Sequence, residues 1–372
     1  MLERLRIGID GRVLSVRNKG IARYIWELCK GLDTILPQAQ FYLYSREPIG
    51  LPPISARWQE RSDTTSGRRI PKSLWAVTRP GFMASRDRVD VFWGGTGFIP
   101  LVGLSARSVL SVHDLVFKLM PETMASRERW AMNMFFEPSL SRAGIVVTNS
   151  QGTADRLRAM MRHSAAAVVR PGVSPIFRPQ PEVKVANVLL RRSLRRPYVL
   201  GVSTLEPRKG LESLIRGFCA LQSRGELPGH TLVLVGDRGW RDGPLARLIN
   251  ESGPRIAWLG FVEDEELVSL YSGCDVFVYP SKYEGFGMPV LEARACGARV
   301  VTSDSPELRE AGGNDAIYVT PGEEGVMRGI LAAAGSKKNG AFEWQKQSWI
   351  ASSAVLAEAL TGEDYSEAAA AG

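Results

Sequence analysis

The sequence predicts an α/β protein made of two doubly wound domains, each on a parallel sheet. Three observations carry that prediction. Short apolar runs of β-branched and aromatic residues alternate with helical runs through both halves of the chain, the order that produces parallel sheets covered by helices on both faces. The length of 372 residues suits two domains of ordinary size, each with its own core. Residues 275–302 then read as strand, glycine-bearing turn, helix and strand, with Pro289 in the first helical turn and Gly297 as the stop. Such a turn lies at the carboxyl edge of the sheet, where open α/β sheets bind ligands.

Composition narrows the class. Hydrophobic residues make up 44% and charged residues 23% of the chain, the balance of a soluble globular protein. No run approaches the roughly 18 apolar residues that a membrane span needs. The N-terminus, residues 1–6, lacks the apolar core of a signal peptide, so a cytoplasmic protein is expected. Cys29, Cys219, Cys274 and Cys296 show no metal-like spacing and read as reduced core residues. The net charge of +8 is uneven: residues 1–190 carry 27 Lys+Arg against 15 Asp+Glu, and the remainder 20 against 24. A basic N-terminal half suits an anionic membrane surface or a lipid-linked acceptor, which places the protein peripherally at the inner face of the cytoplasmic membrane. Plain solvation is the alternative. Nucleic acid is the rival reading, and against it stand the lack of a recognisable nucleic-acid module and of any Lys/Arg block interleaved with aromatics, so no nucleic-acid partner is expected.

Taken in order, residues 5–10 form a buried strand ending in the polar Asp10, a basic loop runs from Gly11 to Gly20, and an amphipathic helix begins at Ile21. No dinucleotide G-x-G-x-x-G or P-loop motif occurs. Residues 41–44 are a second strand. Residues 46–88, rich in Pro, Ser and Arg and including Arg68, Arg69 and Trp75, read as a loop with one or two helices. They sit near an acceptor mouth or serve as an exposed connection. A strand at 89–93 leads into the turn Gly94-Gly95-Thr96-Gly97, and the strand from Ser108 ends in His113-Asp114. His113 is either a packed residue or a ligand contact at a strand's carboxyl end; Asp114 either orients it or caps the next turn. A helix over 127–141, a strand over 143–148 and a helix over 151–161 capped by Ser150 follow. The Pro-rich 175–184 stretch is the expected hinge. The domains are placed at 1–180 and 181–342, with a last amphipathic helix in 343–360 carrying Trp344 and Trp349, and a disordered tail at 368–372.

In the second half, strands are expected at 198–202, 231–235, 256–259, 275–279, 299–302 and 316–319. Directly after the first of them, Arg208 and Lys209 fall at a helix start. Cations disfavour the dipole there, so an anionic ligand is the reason to expect, against a merely solvated basic turn. In the 275–302 segment, Gly285 and Gly287 let backbone approach a ligand, and the N–H groups of the turn attract phosphate or a sugar hydroxyl. Glu284 in the turn and Glu292 inside the helix are two acceptors spaced to hold two hydroxyl-bearing rings on either side of a diphosphate. The alternative is a capping Glu284 and an exposed Glu292. Phe286 and Met288 make the turn apolar, which points it at a cleft.

Glu284 and Glu292, eight positions apart around Gly-Phe-Gly-Met-Pro, resemble the E-x7-E signature of the retaining glycosyltransferases of family GT4, which have the GT-B fold. Three further pieces agree in order. The strand–loop–helix at Gly11–Gly20 resembles the family's first unit, with Ala22 where relatives often have a second glycine. Val112-His113-Asp114-Leu115 resembles T-I-H-D-L, and Thr204-Leu205-Glu206-Pro207-Arg208-Lys209 resembles G-T-L-E-P-R-K-N. The resemblance covers residues 5–360. It implies two Rossmann-like domains with a cleft between them and a C-terminal helix crossing back to the N-terminal domain. It implies that Glu284 holds the donor sugar, Glu292 the ribose, and His113 a sugar hydroxyl. Lys209 neutralises the leaving diphosphate, with Arg208 substituting for an arginine that relatives carry where this chain has Ser203. Gly20 and the backbone of Gly285, Phe286 and Gly287 lie beside the donor, while Gly236 and Val262 present backbone groups to the base.

The implied reaction moves a hexose, mannose or a deoxymannose such as rhamnose, from a GDP-linked donor to a saccharide or lipid-linked saccharide in surface-polysaccharide assembly. No cofactor beyond the nucleotide sugar and no metal ion are expected. The alternatives are a UDP-glucose-dependent transferase, a hydrolase or phosphorylase of the same fold, and a non-catalytic sugar-nucleotide-binding protein. Alanine at Glu284 or Lys209 is expected to abolish turnover with little change in melting temperature.

Overall fold

The computed structural model describes residues 5–15, 20–64, 70–239, 243–334 and 342–367. It divides into two compact units, Met1–Gly172 with Gln345–Gly372, and Val173–Trp344.

The first unit runs β1 (Arg6–Asp10), α1 (Gly20–Ile35), β2 (Gln40–Ser45), β3 (Trp58–Ser62), α2 (Lys72–Arg86), β4 (Val91–Gly94), β5 (Arg107–Val112), α3 (Val116–Leu119), α4 (Ser126–Arg142), β6 (Ile145–Thr148), α5 (Gln151–Met161) and β7 (Ala167–Val168). The seven strands are parallel in the order β3-β2-β1-β4-β5-β6-β7. Strand order reverses between β1 and β4, the switch point beside whose carboxyl ends, at Asp10 and Gly94, sheets of this kind hold ligands. Ser150 caps α5 as expected, accepting from the Thr153 N–H at 2.9 Å. β3 is a strand that the sequence reading missed. It is an edge strand of mainly polar residues, anchored by Trp58 stacked on Phe41 at 4.1 Å, and charged side chains are what exposed sheet edges commonly carry.

The C-terminal helix, Trp349–Thr361, belongs to this unit and packs along α1. The approach is close enough to need glycine: a Cβ on Gly31 would lie 2.1 Å from Ser353 Oγ. Ser353 in turn donates to the Leu28 carbonyl at 3.3 Å. The helix starts at Trp349, capped by Ser348, rather than near Phe342.

The second unit runs α6 (Glu182–Arg191), β8 (Tyr198–Val202), α7 (Leu211–Ser223), β9 (Thr231–Val235), α8 (Gly243–Glu251), β10 (Ile256–Trp258), α9 (Asp264–Gly273), β11 (Val276–Tyr279), α10 (Met288–Ala295), β12 (Val300–Ser303), α11 (Pro306–Gly312), β13 (Ile317–Val319) and α12 (Glu323–Ala334). Its six parallel strands are ordered β10-β9-β8-β11-β12-β13, with the reversal between β8 and β11. The unit begins at Val173 rather than 181, because Val173 and Phe177 are buried in its core. It ends at Trp344 rather than 342, because Phe342 and Trp344 pack against that same core. Residues 16–19 of the expected basic loop, Arg68 and Arg69, and the 368–372 tail lie outside the described residues.

Candidate active site

The two turns at the reversal of the second sheet are built against each other. After β8 the chain makes a tight turn at Pro207–Lys209 and enters α7 through Gly210, which has φ +70°. A Cβ there would stand 2.1 Å from the Pro280 carbonyl oxygen, so only glycine admits the turn after β11. That second turn runs from Pro280 to Gly287. Gly287 has φ +103°, and a Cβ on it would meet Leu308 at 2.6 Å. Phe286 is buried in the core of the unit, so its ring anchors the turn. The N–H groups of Phe286 and Gly287 make no hydrogen bond among the described residues. They are donors at the start of α10, where an anion is favoured.

This packing brings Arg208 and Lys209 onto Glu284. Glu284 Oε1 accepts from Lys209 Nζ at 2.7 Å, Ser281 Oγ at 2.7 Å and Tyr279 OH at 2.9 Å. Oε2 accepts from Arg208 Nη1 at 3.0 Å, and the same nitrogen donates to the Tyr283 carbonyl at 2.6 Å. Glu206 stands 3.9 Å from Arg208 Nη2. Burial alone would raise the Glu284 carboxyl; Lys209 and Arg208 outweigh it and hold the group down at about 2. Burial pulls the Lys209 ammonium below its ordinary value, against the opposing pull of Glu284. The arrangement is a buried carboxylate that pre-positions two cations beside free amide donors, the equipment for a charged phosphate group.

Tyr279 and Ser281 escaped the sequence reading as site residues. Tyr279 reads as the last apolar residue of a strand, yet its hydroxyl lies 2.9 Å from Glu284 and 3.2 Å from Lys209. The signal available was a polar-tipped aromatic at a strand's carboxyl end, with a serine three positions before the glutamate. Glu292, in the second turn of α10, is not exposed; it is buried and accepts from Tyr271 OH at 3.4 Å. Gly236 packs against β8, where a Cβ would lie 2.0 Å from the Ser203 carbonyl. Its N–H donates to the Gly260 carbonyl at 2.8 Å and its own carbonyl accepts from Trp258. That N–H is therefore engaged within the unit rather than presented to a base. The Val262 side chain is in the core.

In the first unit, Gly20 is the exposed first residue of α1. His113 follows β5, half-buried, with Nε2 2.7 Å from the Gly95 carbonyl and its ring edge-on to Tyr24 at 5.1 Å. Burial lowers its pKa; the Gly95 hydrogen bond and Asp114 oppose that. Asp114 caps the following turn by accepting from the Val116 N–H at 2.9 Å, the second of the two roles open to it from sequence. Asp10, Arg12 and Thr96 form a bonded cluster nearby that the sequence reading did not single out.

Among the described residues, no group of three or more His, Cys, Asp or Glu side chains could hold a metal ion. No helix among them is long and apolar enough to cross a membrane. Among the described residues no disulfide forms, and three of the four cysteines are buried.

Comparison with known proteins places this geometry. The family profile described as "Glycosyl transferases group 1" matches residues 196–334. The O-antigen chain mannosyltransferase B of Escherichia coli is 31% identical over 281 residues, covering 70% of this chain and 73% of that protein. The chain belongs to the group 1 glycosyltransferases. A second relative of this glycosyltransferase is the GDP-mannose-dependent alpha-(1-6)-phosphatidylinositol monomannoside mannosyltransferase of Mycolicibacterium smegmatis. It is 28% identical over 323 residues, covering 79% of this chain and 81% of the relative. Among solved structures, the sucrose-phosphate synthase of Thermosynechococcus elongatus superposes with a TM-score of 0.71 at 20% identity, covering 98% and 96% of the two chains. The fold of this glycosyltransferase is thus GT-B, as the E-x7-E resemblance implied. The matched 196–334 segment includes Arg208, Lys209, Gly236, Val262, Glu284 to Gly287 and Glu292; His113 and Gly20 precede it.

Proposed function

We propose that this glycosyltransferase moves a mannosyl or deoxymannosyl group from a GDP-linked donor to a hydroxyl of a saccharide or lipid-linked saccharide, with retention at the anomeric carbon. The observation that carries the reading is the double cation clamp on Glu284 beside the free N–H groups of Phe286 and Gly287. A donor diphosphate would take its charge compensation from Lys209, Arg208 and those amides, and Glu284 would exchange part of its hydrogen bonding for a sugar hydroxyl. Charge grows on the diphosphate as the glycosidic bond breaks, so donors fixed in advance favour the transition state over the ground state. The acceptor proton passes to a phosphate oxygen of the donor, and the diphosphate leaves as GDP. No protein nucleophile and no divalent metal ion are required. Glu292 would hold the ribose, and His113 a substrate hydroxyl.

The mannosyl and GDP assignments draw support from the two mannosyltransferase relatives, one of them GDP-mannose-dependent. Surface-polysaccharide assembly draws support from the O-antigen relative. An anionic membrane surface as partner draws support from charge: the first unit carries 26 Lys+Arg against 18 Asp+Glu, and the second 21 against 21. A thermal-shift panel of GDP- and UDP-sugars tests the donor. GDP-mannose or a GDP-deoxymannose is expected to raise the melting temperature more than any UDP-sugar, and the reverse order would overturn the GDP assignment.

A further inference from the structure

The first unit contains a buried charge network for which the reading above supplies no task. Asp10 closes β1 and is only 3% exposed. Its carboxylate accepts from Arg12 Nε at 3.0 Å, from the Arg12 N–H at 3.3 Å and from the Thr96 hydroxyl. Arg12 Nη2 donates to the same Thr96 oxygen, and the guanidinium lies over the Phe98 ring at 5.3 Å. A buried ion pair is weak evidence for stability, so what it holds is the useful question. It holds the side chain of Thr96, and the Thr96 nitrogen is bonded to the Gly95 carbonyl carbon. The peptide is planar, so with the Thr96 side chain held, the direction of that oxygen is left to rotation about a single bond, Thr96 N–Cα, and the clamp restrains it.

That oxygen is the one His113 Nε2 meets at 2.7 Å. A carbonyl can only accept, so Nε2 carries the hydrogen. With the ring half-buried against Tyr24 and held neutral by burial in spite of Asp114, Nδ1 is left as a lone-pair acceptor. No hydrogen bond to Nδ1 is present among the described residues.

We propose that Asp10 is a positioning residue: through Thr96 it aims the Gly95 carbonyl that fixes His113 in the Nε2–H tautomer, turning Nδ1 into an acceptor for a substrate hydroxyl. The link to turnover rests on the reading of His113 given above; the tautomer itself does not.

The chain has three histidines, His113, His163 and His230, so nitrogen-15 imidazole spectra of the full protein resolve each one. In the wild type, His113 is expected to show a protonated Nε2 and an unprotonated Nδ1. Thr96→Val removes the hydroxyl at constant shape and charge, and Asp10→Asn removes the charge. Both are expected to shift His113 toward a mixture of tautomers and to lower kcat/KM by about tenfold, while Thr96→Ser restores both readouts. Unchanged His163 and His230 signals identify variants that remain folded. A His113 spectrum identical to wild type in folded Thr96→Val and Asp10→Asn overturns the proposal. A shifted tautomer with wild-type turnover upholds the positioning role and instead removes the contact of His113 with the substrate.

Discussion

Replacing Glu284 by alanine is expected to lower stability as well as activity, unlike the expectation from sequence, and the size of the effect follows from the structure. The carboxyl is held at about 2 against an ordinary 4.5. At about 1.4 kcal/mol per pKa unit, that depression corresponds to about 3–4 kcal/mol of folding stability. The sign follows from the direction: a depressed carboxyl stabilises the fold fully above the unfolded value near 4.5, and the contribution is lost as pH falls from there toward 2. A second route gives a similar figure, since removing one partner of a buried ion pair costs about 3–5 kcal/mol by leaving charge uncompensated, here on Lys209 and Arg208. The two figures describe one interaction and are not additive. For a unit of this size, the lower end of that range, about 3 kcal/mol, corresponds to a drop of about 6–12 °C in Tm. Thermal unfolding of wild type, Glu284→Ala and Glu284→Gln at neutral pH measures it. Glutamine keeps the shape and one acceptor and should fall between the other two. The gap between wild type and Glu284→Ala should narrow as pH drops below about 4.5. An alanine variant that melts within about 2 °C of wild type at neutral pH would refute the buried ion-pair argument.

Other consequences are as specific. Tyr279→Phe deletes one hydroxyl shared by Glu284 and Lys209, so a loss of about 1 kcal/mol in denaturant unfolding and a several-fold fall in kcat are expected. Gly210→Ala sets a Cβ against the Pro280 carbonyl at a left-handed φ; it should cost at least about 1–3 kcal/mol and displace Arg208 and Lys209, so donor affinity falls along with stability. If the reaction proceeds without a divalent ion, chelator-treated enzyme assayed in EDTA will keep its wild-type rate, and restoration of activity only by added Mg2+ or Mn2+ would count against that mechanism.

Much of the fold was legible because its strands are buried on both faces and read as continuous apolar runs: β1, β8, β9 and β11 all fall where the residue pattern places them. β3 was not legible, since a polar edge strand has neither an apolar run nor clean alternation. The unit boundary was misplaced by a few residues because a Pro-rich segment looks like a hinge, while Val173 and Phe177 within it are core residues. At the site, residue types announced Arg208, Lys209 and Glu284 as chemistry-bearing, and the structure brings all three together. Their mutual pairing was hidden, because 75 or more positions separate each cation from the glutamate, and the two turns meet only in the folded chain, through the close approach at Gly210 and the bond between Arg208 and Tyr283. Tyr279 and Ser281 were hidden for the opposite reason: they lie beside the motif, but their role depends on side-chain direction, which spacing does not encode. In the first unit, His113 was legible as a strand-end histidine, whereas the Asp10–Thr96 support joins residues 86 positions apart.

The claim on which the account turns is that the cations now clamped on Glu284 receive the nucleotide diphosphate. Calorimetric titration of GDP into wild type and Lys209→Met, each verified as folded, measures this directly. The account predicts binding to wild type and a loss of at least about tenfold in affinity for the variant, the worth of one charge-assisted contact. Equal affinity in the two proteins would contradict it.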